Sequence, residues 1–493
     1  MAALGAVRAF DPFAGDQALF LVGAQELHAG AVLYRDFWDL KQPGIFLFYL
    51  AGGSAAGFTQ SGIHIFEIAW QCAFGGTLFA ALRGAVRRPA VAALAVLAVP
   101  AAYYAGTTSW HLTQVEALTG LPLLCCAWAG IAAWTRANGR ARSAFAAGLA
   151  AGCVLLLKLL YLPIAFVLFA VAASAATGTQ RHERAPIVVT AWLGGLAVPL
   201  ALTAAYATAF GLWNTLSATF VSLPAAVVAG GHAPSTRLWL AALWFARRFA
   251  PVLFLGAIGL LTTPSAGGLV WRRIAVAWFV TGGLALIVQT QSWWEYQFLL
   301  LLPPAGILAT LGADASLARL RGPAGAARTA AGAALAAALL LCFGLGHSTL
   351  AATARVLRDR PFTSAAALER HREIDSGEYT AAAHAAASLS RGGNDRQAIY
   401  VCGDPLIYLL AKREQAVAIN GWALELYPPD WWAKLDAQLQ RTLPADVFVA
   451  GDDTALIAAR SPLLARMLDT EYERAVRLPD GTWYRLRTLR RSP

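Results

Sequence analysis

Between Phe10 and Gly44 the run FDPFAGDQALFLVGAQELHAGAVLYRDFWDLKQPG sets the carboxylates Asp11, Asp16, Glu26, Asp36 and Asp39 among Arg35 and Lys41 and the rings of Tyr34, Phe37 and Trp38. A carboxylate can take the proton from an attacking hydroxyl. A cation or a metal can stabilise a phosphate as it leaves, and an aromatic ring can stack on the face of a pyranose. Acids, bases and rings in one short stretch are the parts that sugar-phosphate chemistry needs. The same composition also describes an ordinary solvated loop, and Asp16 alone would serve as a helix N-cap.

Other candidates are scattered. Glu116 stands at the end of an apolar run, beside His111 and Gln114 in SWHLTQVEA, and Lys158 lies inside LLLKLLY. An ionisable side chain at membrane depth is costly, so it marks a functional position unless it snorkels to the interface. The Arg247-Arg248 pair could grip a lipid phosphate through bidentate hydrogen bonds or simply anchor a helix end among headgroups. Glu295 and Tyr296 follow Trp293 and Trp294, an aromatic belt that explains the tryptophans but not the acid. No second His or Cys stands near His111 at metal-ligand spacing. Gly403-Asp404 has no glycine-rich phosphate loop around it, and Asp452-Asp453 reads as a turn.

The elements that must position these residues are mostly membrane helices. Hydrophobic residues make up 58% of the 493, and charged residues 14%, against about 25% in a soluble domain. A run of roughly 20 apolar residues crosses about 30 Å of hydrocarbon. Such runs predict about ten spans: 62–82, 90–105, 115–134, a hairpin over 143–176, 187–210, 249–264, 274–290, 298–313 and 329–346. The net charge of +11 is no nucleic-acid signal, because its arginines sit in short inter-helix loops: Arg83, Arg87 and Arg88; Arg136, Arg140 and Arg142; Arg181 and Arg184; Arg272 and Arg273; Arg319, Arg321 and Arg328. Basic loops face the cytoplasm. Residues 1–60, the 211–238 loop and everything after 347 then lie outside. The stretch Met1–Ala14 is too short and polar to span, so either a short tail is translocated or, the favoured reading, a first helix is encoded upstream. The six cysteines form no disulfide framework or paired-cysteine metal site.

From about Ala352 charges become dense enough for a solvated domain. Ala398–Gly403, Gln415–Asn420 and Ala445–Ala450 read as short buried strands, with helices near 378–390, 405–412, 429–441 and 454–468. That alternation predicts an α/β domain with a parallel sheet. Tyr472–Leu489 reads as a hairpin turning at Asp480-Gly481. The expected layout is an outer catalytic loop with juxtamembrane helices over 1–60, an all-α polytopic membrane domain of ten to eleven helices over 61–347, and an extracytoplasmic α/β domain over 352–493.

The order of these motifs resembles the GT-C glycosyltransferases, nearest to the bacterial protein O-mannosyltransferase-like and lipopolysaccharide-sugar transferases. An Asp, a short helix, and YRDFWDLKQPG entering the membrane look like their first outer loop. Ser109–Ala117 resembles their second, Trp294–Pro304 (WEYQFLLLLPP) their aromatic-Tyr segment, and Ala398–Arg413 their C-terminal outer domain. The resemblance implies a polyprenyl-phosphate sugar donor, a glycan, lipid or protein acceptor, and a bacterial inner membrane with the C-terminal domain on its outer side. It places Asp16 as catalytic base, and Asp36, Asp39 and Lys41 as cleft residues, a group to which Glu116, Glu295 and Tyr296 are added. Lys158, Arg247 and Arg248 become the lipid-phosphate cations. The family usually has Glu after its catalytic Asp, and here stands Gln17. That leaves open whether a divalent metal, Mg²⁺ or Mn²⁺, takes part. A transporter or flippase of lipid-linked sugars would share the intramembrane cations and is the alternative. Against it, no inverted repeat is visible.

Overall fold

The computed structural model describes residues 1–136, 138–176, 178–229, 233–262, 264–290, 293–320, 325–389 and 397–487. Arg321 of the basic loops lies outside the described residues. The chain divides into two compact units. The first comprises Met1–Ala9, His64–Ala205 and His232–Arg358. The second comprises Phe10–Ile63, Tyr206–Gly231 and Asp359–Pro493.

The chain is a multi-pass membrane protein. Among the described residues seven helices are long and apolar enough to cross a bilayer: Gln60–Leu82, Pro89–Gly106, Val115–Thr135, Arg140–Leu157, Arg181–Ala209, Gly267–Val288 and Glu295–Leu320. Glu295–Leu320 is buried throughout its most apolar stretch. Its neighbour Ala250–Leu261 approaches it closely, because Gly259 and Gly312 face backbone. A methyl at Gly259 would lie 2.0 Å from the Leu308 carbonyl. Small residues at such crossings allow backbone contact where side chains would hold helices apart.

One expected span differs from the sequence reading, and the expected hairpin turns at Lys158. The segment expected over 249–264 is a helix of only 12 residues, Ala250–Leu261, about 18 Å long. It meets Ser235–Arg248 at an 84° bend. Pro251 in its first turn supplies the reason: proline has no N–H to continue the preceding helix. The 143–176 hairpin breaks at Lys158, which leaves helical geometry (φ −160°, ψ 110°) between Arg140–Leu157 and Leu162–Ala172. The last apolar segment extends into a 34-residue helix, Ala326–Asp359.

The second unit carries the small sheet, ordered β1 (Tyr400–Cys402), β2 (Asp446–Ala450), β4 (Gly481–Leu486) and β3 (Tyr472–Leu478). Only β1 and β2 pair in parallel; β4 runs antiparallel to both its neighbours. The sheet is therefore mixed rather than parallel, because the expected Asp480-Gly481 hairpin adds its strand directly to β2. The segment expected as a strand over Gln415–Asn420 makes single bridges instead: Ile399 with Gln415 and Trp38 with Ile419. It thus joins the first loop to the C-terminal domain. Trp38 secures that joint, its backbone N–H donating to Ala418 O and its ring stacking on Trp431 at 3.8 Å. Arg372 adds a second tie, donating to Phe10 O and Ser61 Oγ. The helix expected over 454–468 is broken in two by Ser461-Pro462.

Candidate active site

In the second unit, Asp16 is the first residue of the helix Asp16–His28, and the N-cap is Gly15, so Asp16 is not the cap. Its Oδ2 lies 2.8 Å from Lys41 Nζ, and its Oδ1 accepts a 2.8 Å hydrogen bond from Trp422 Nε1. The Asp16 side chain is 16% exposed and that of Lys41 26%, so the pair is accessible from solvent. Gly15 takes φ +50°, and a Cβ there would fall 2.4 Å from the Trp422 ring. Only glycine permits both the turn and the approach of the indole.

Asp39 sits behind this pair. Its Oδ1 accepts the Lys41 backbone N–H at 2.7 Å and its Oδ2 the Asn420 amide at 3.2 Å. Burial pushes its carboxyl up to about 6, against the pull of the Lys41 ammonium. Asn420 also donates to Trp38 O and accepts the Trp422 backbone N–H. The C-terminal domain thus reaches Asp16 through Trp422 and Asp39 through Asn420. Half-buried Asp404 is likewise pushed up to about 6 by desolvation; it accepts the Leu406 and Gly15 N–H groups. Asp36 stands apart from this network. Both its oxygens are held by Arg35, which lowers its carboxyl, and Oδ2 also accepts the Val32 N–H.

Gln17 is fully buried, and its Oε1 accepts the Ala14 N–H at 3.0 Å. The groups around Asp16 thus include a lysine, a tryptophan and a loop-closing glutamine. Among the described residues no three His, Cys, Asp or Glu side chains gather as a metal ion would need.

In the first unit, Glu116 lies in the first turn of Val115–Thr135 and is 2% exposed. Its Oε1 accepts from Lys158 Nζ at 2.8 Å and from the Tyr161 hydroxyl at 2.9 Å. Lys158 also donates to Gln289 Oε1 at 2.6 Å. The two ionisable residues that the sequence marks separately are partners, and the helix break at Lys158 is what brings its side chain to Glu116. Glu67, at 0% exposure within Gln60–Leu82, is a further buried acid that sequence reasoning missed. Its Oε1 accepts the Tyr103 hydroxyl at 2.6 Å and the N–H of Thr113, a residue at φ +52°. The same rule that singles out Lys158, an ionisable residue inside an apolar run, would have found it.

His111 stacks on Trp244 and lies 3.4 Å from Glu295. With Glu295 and Tyr296 it lines a groove of about 400 Å³ that also holds Trp110, Trp293 and Trp294. Arg247 is exposed, and Arg248 donates from Nε to the Gly106 carbonyl at 2.6 Å.

No family model matches this sequence, and no curated protein sequence resembles it. Solved structures do. ArnT from Cupriavidus metallidurans bound to undecaprenyl phosphate superposes with a TM-score of 0.62 at 12% identity, over 98% of this chain and 95% of that one. The apo state of the same protein gives 0.60 at 14% identity, over 98% and 96%. The likeness spans both chains almost completely, and the GT-C resemblance read from the sequence holds at the level where structures this divergent can be compared: this chain has the GT-C fold.

Proposed function

We propose that this protein is a GT-C glycosyltransferase. It moves a sugar from a polyprenyl-phosphate donor to an envelope glycan, lipid or protein hydroxyl on the outer face of a bacterial inner membrane. The observation that carries this reading is the accessible Asp16 carboxylate, anchored by Lys41 and Trp422 at the start of a helix, in the fold of a protein solved with undecaprenyl phosphate.

Asp16 takes the acceptor's hydroxyl proton while that oxygen bonds to the anomeric carbon. The bond from the anomeric carbon to the phosphate oxygen breaks in the same step, so configuration inverts and the lipid keeps its phosphate. Lys41 supplies positive charge at the base. Asp39 and Asn420 fix the Lys41 backbone, and Asp36 clamps the turn before it. Arg247 and Arg248 are the cations for the donor phosphate; Lys158 is the weaker of the three, since Glu116 already meets its charge. Glu295 and Tyr296, in an aromatic groove, suit a carbohydrate acceptor.

The test is transfer of label from radiolabelled polyprenyl-phosphate sugars to an envelope glycolipid extract by the purified protein in lipid, with Asp16→Asn beside it. Label moving only with the unaltered protein supports both the class and the base. Equal transfer by the variant would remove Asp16 from the role. If folded protein consumed no donor and instead moved intact donor across vesicles, the transporter reading would replace this one.

A further inference from the structure

Glu67 is wholly buried within the span Gln60–Leu82 and has no part in the chemistry proposed above. An ionisable side chain inside a span is costly and marks a functional position unless its partners explain it. His64 Nδ1 lies 3.9 Å from Glu67 Oε2, beyond hydrogen-bonding range. The short contacts are on Oε1, and both lead to one turn. The Tyr103 hydroxyl donates to it at 2.6 Å and also lies 3.3 Å from His111 O. The Thr113 N–H donates to it at 2.8 Å. That turn, 107–114, joins the spans Pro89–Gly106 and Val115–Thr135. Thr113 takes φ +52° in it, a left-handed conformation that a β-branched residue holds only when its surroundings impose it.

A plain reading is that Glu67 satisfies one buried N–H and closes the turn. It does not account for what the turn carries. Thr108 donates its backbone N–H to His111 Nδ1 at 3.2 Å, which leaves Nε2 as the ring's donor. That nitrogen lies 3.4 Å from Glu295 Oε2, and the ring's face stacks on Trp244. His111 and Glu295, with Trp110 of the same turn, line the groove of about 400 Å³. The Glu295 side chain is 47% exposed. A long exposed acid samples many rotamers, and a fixed imidazole selects among them. We propose that Glu67 is the positioning residue of this groove: through Thr113 and Tyr103 it fixes the turn that sets His111 against Glu295, and so aims that acid at an acceptor hydroxyl. The inference rests on the reading of the groove as the acceptor's subsite.

Transfer kinetics and hydrogen–deuterium exchange test this on the full chain in lipid, with labelled polyprenyl-phosphate sugars as donor and an envelope glycolipid extract as acceptor. Glu67→Ala should raise the apparent KM for the acceptor about tenfold, with kcat and the donor KM within about twofold. Glu67→Gln, which keeps an oxygen for Thr113 and Tyr103, should raise it only about threefold. If Glu67→Ala does not fold, Glu67→Gln decides. An acid with a merely structural role would lower thermal stability and leave both KM values unchanged, which overturns the proposal. A fall in kcat at unchanged KM overturns it as well, since Glu67 would then act on the chemical step. Exchange keeps the two readings apart. If the unaltered protein transfers no label, the transfer reading fails on its own. The amides of 107–114 should still exchange about tenfold faster in the folded variant, and those of Asp16–His28 as before. Equal exchange at 107–114 overturns the hold on the turn itself.

Discussion

Two carboxylate–lysine pairs in this protein have the same 2.8 Å separation and different surroundings. Asp16 and Lys41 are 16% and 26% exposed, whereas Glu116 is 2% exposed and its partner Lys158 22%. At the first pair, water can replace either partner, so the bond itself stabilises by about 1 kcal/mol or less. At the second, removing the acid strands a cation in apolar surroundings, a far larger penalty. Distance alone therefore does not distinguish a reactive carboxylate from a structural one. Access does: a group that must receive a proton from a substrate has to be reachable, and a group that neutralises a buried charge must not be.

The sharpest break between the pairs is catalytic. Asp16→Asn should lower the transfer rate about a thousandfold with donor binding and thermal stability nearly unchanged, checked by label transfer and differential scanning fluorimetry. A loss of stability equal to the loss of rate would erase the distinction. The converse belongs to the buried pair. Glu116→Ala should destabilise the protein by about 2 kcal/mol, discounted for the partial exposure of Lys158. Glu116→Gln, which keeps an acceptor for Lys158 and Tyr161, should cost less. Thermal unfolding in detergent measures both.

A smaller effect sharpens the picture of Asp16. Trp422→Phe keeps a ring beneath Gly15 and removes the N–H donated to Asp16, so kcat should fall about tenfold at unchanged KM. A change in KM alone would make Trp422 a substrate contact instead. The smallest effect is in pH. The Asp39 carboxyl titrates at about 6 in the folded protein, against about 3.9 unfolded, so the folded state holds its proton more tightly. That contribution to stability is fully present below about pH 4 and is lost as pH rises through about 6. The transfer rate should run the opposite way, rising as Asp39 ionises and strengthens its hold on the Lys41 and Asn420 N–H groups. Asp39→Asn should flatten both profiles, leaving the shares of the other raised carboxyls, Asp404 and Asp453 at about 6 among them.

What the sequence disclosed followed the same division. Asp16, Asp39 and Lys41 are close in the chain and polar beside a membrane, so local pattern exposed them together. Glu116 and Lys158 were each visible as costly ions, and the 143–176 hairpin put a turn near Lys158, but which acid the turned lysine meets is a tertiary fact that local pattern does not carry. Asn420 and Trp422 were out of reach. They sit in an irregular segment with a strand-like composition, and their meaning comes from contacts 381 and 406 residues away. The span expected over 249–264 begins at the bend, but its apolar run reads as long enough to cross although only 12 residues of it are helical. In the α/β tail most of the helices and the hairpin were legible from local pattern. The sheet came out mixed because strand direction is decided by which neighbours pair, a tertiary fact.

The distance between Asp16 and Trp422 also has a consequence in time. Synthesis runs at about 5–20 residues per second, so roughly 20–80 s separate the making of the first loop from the arrival of the indole that holds its carboxylate. Throughout that interval the chain carries Asp16, Asp39 and Lys41 without Trp422 or Asn420. The site contacts of Asp16 described above are therefore complete only once Trp422 has been made, after the seven apolar spans that precede it.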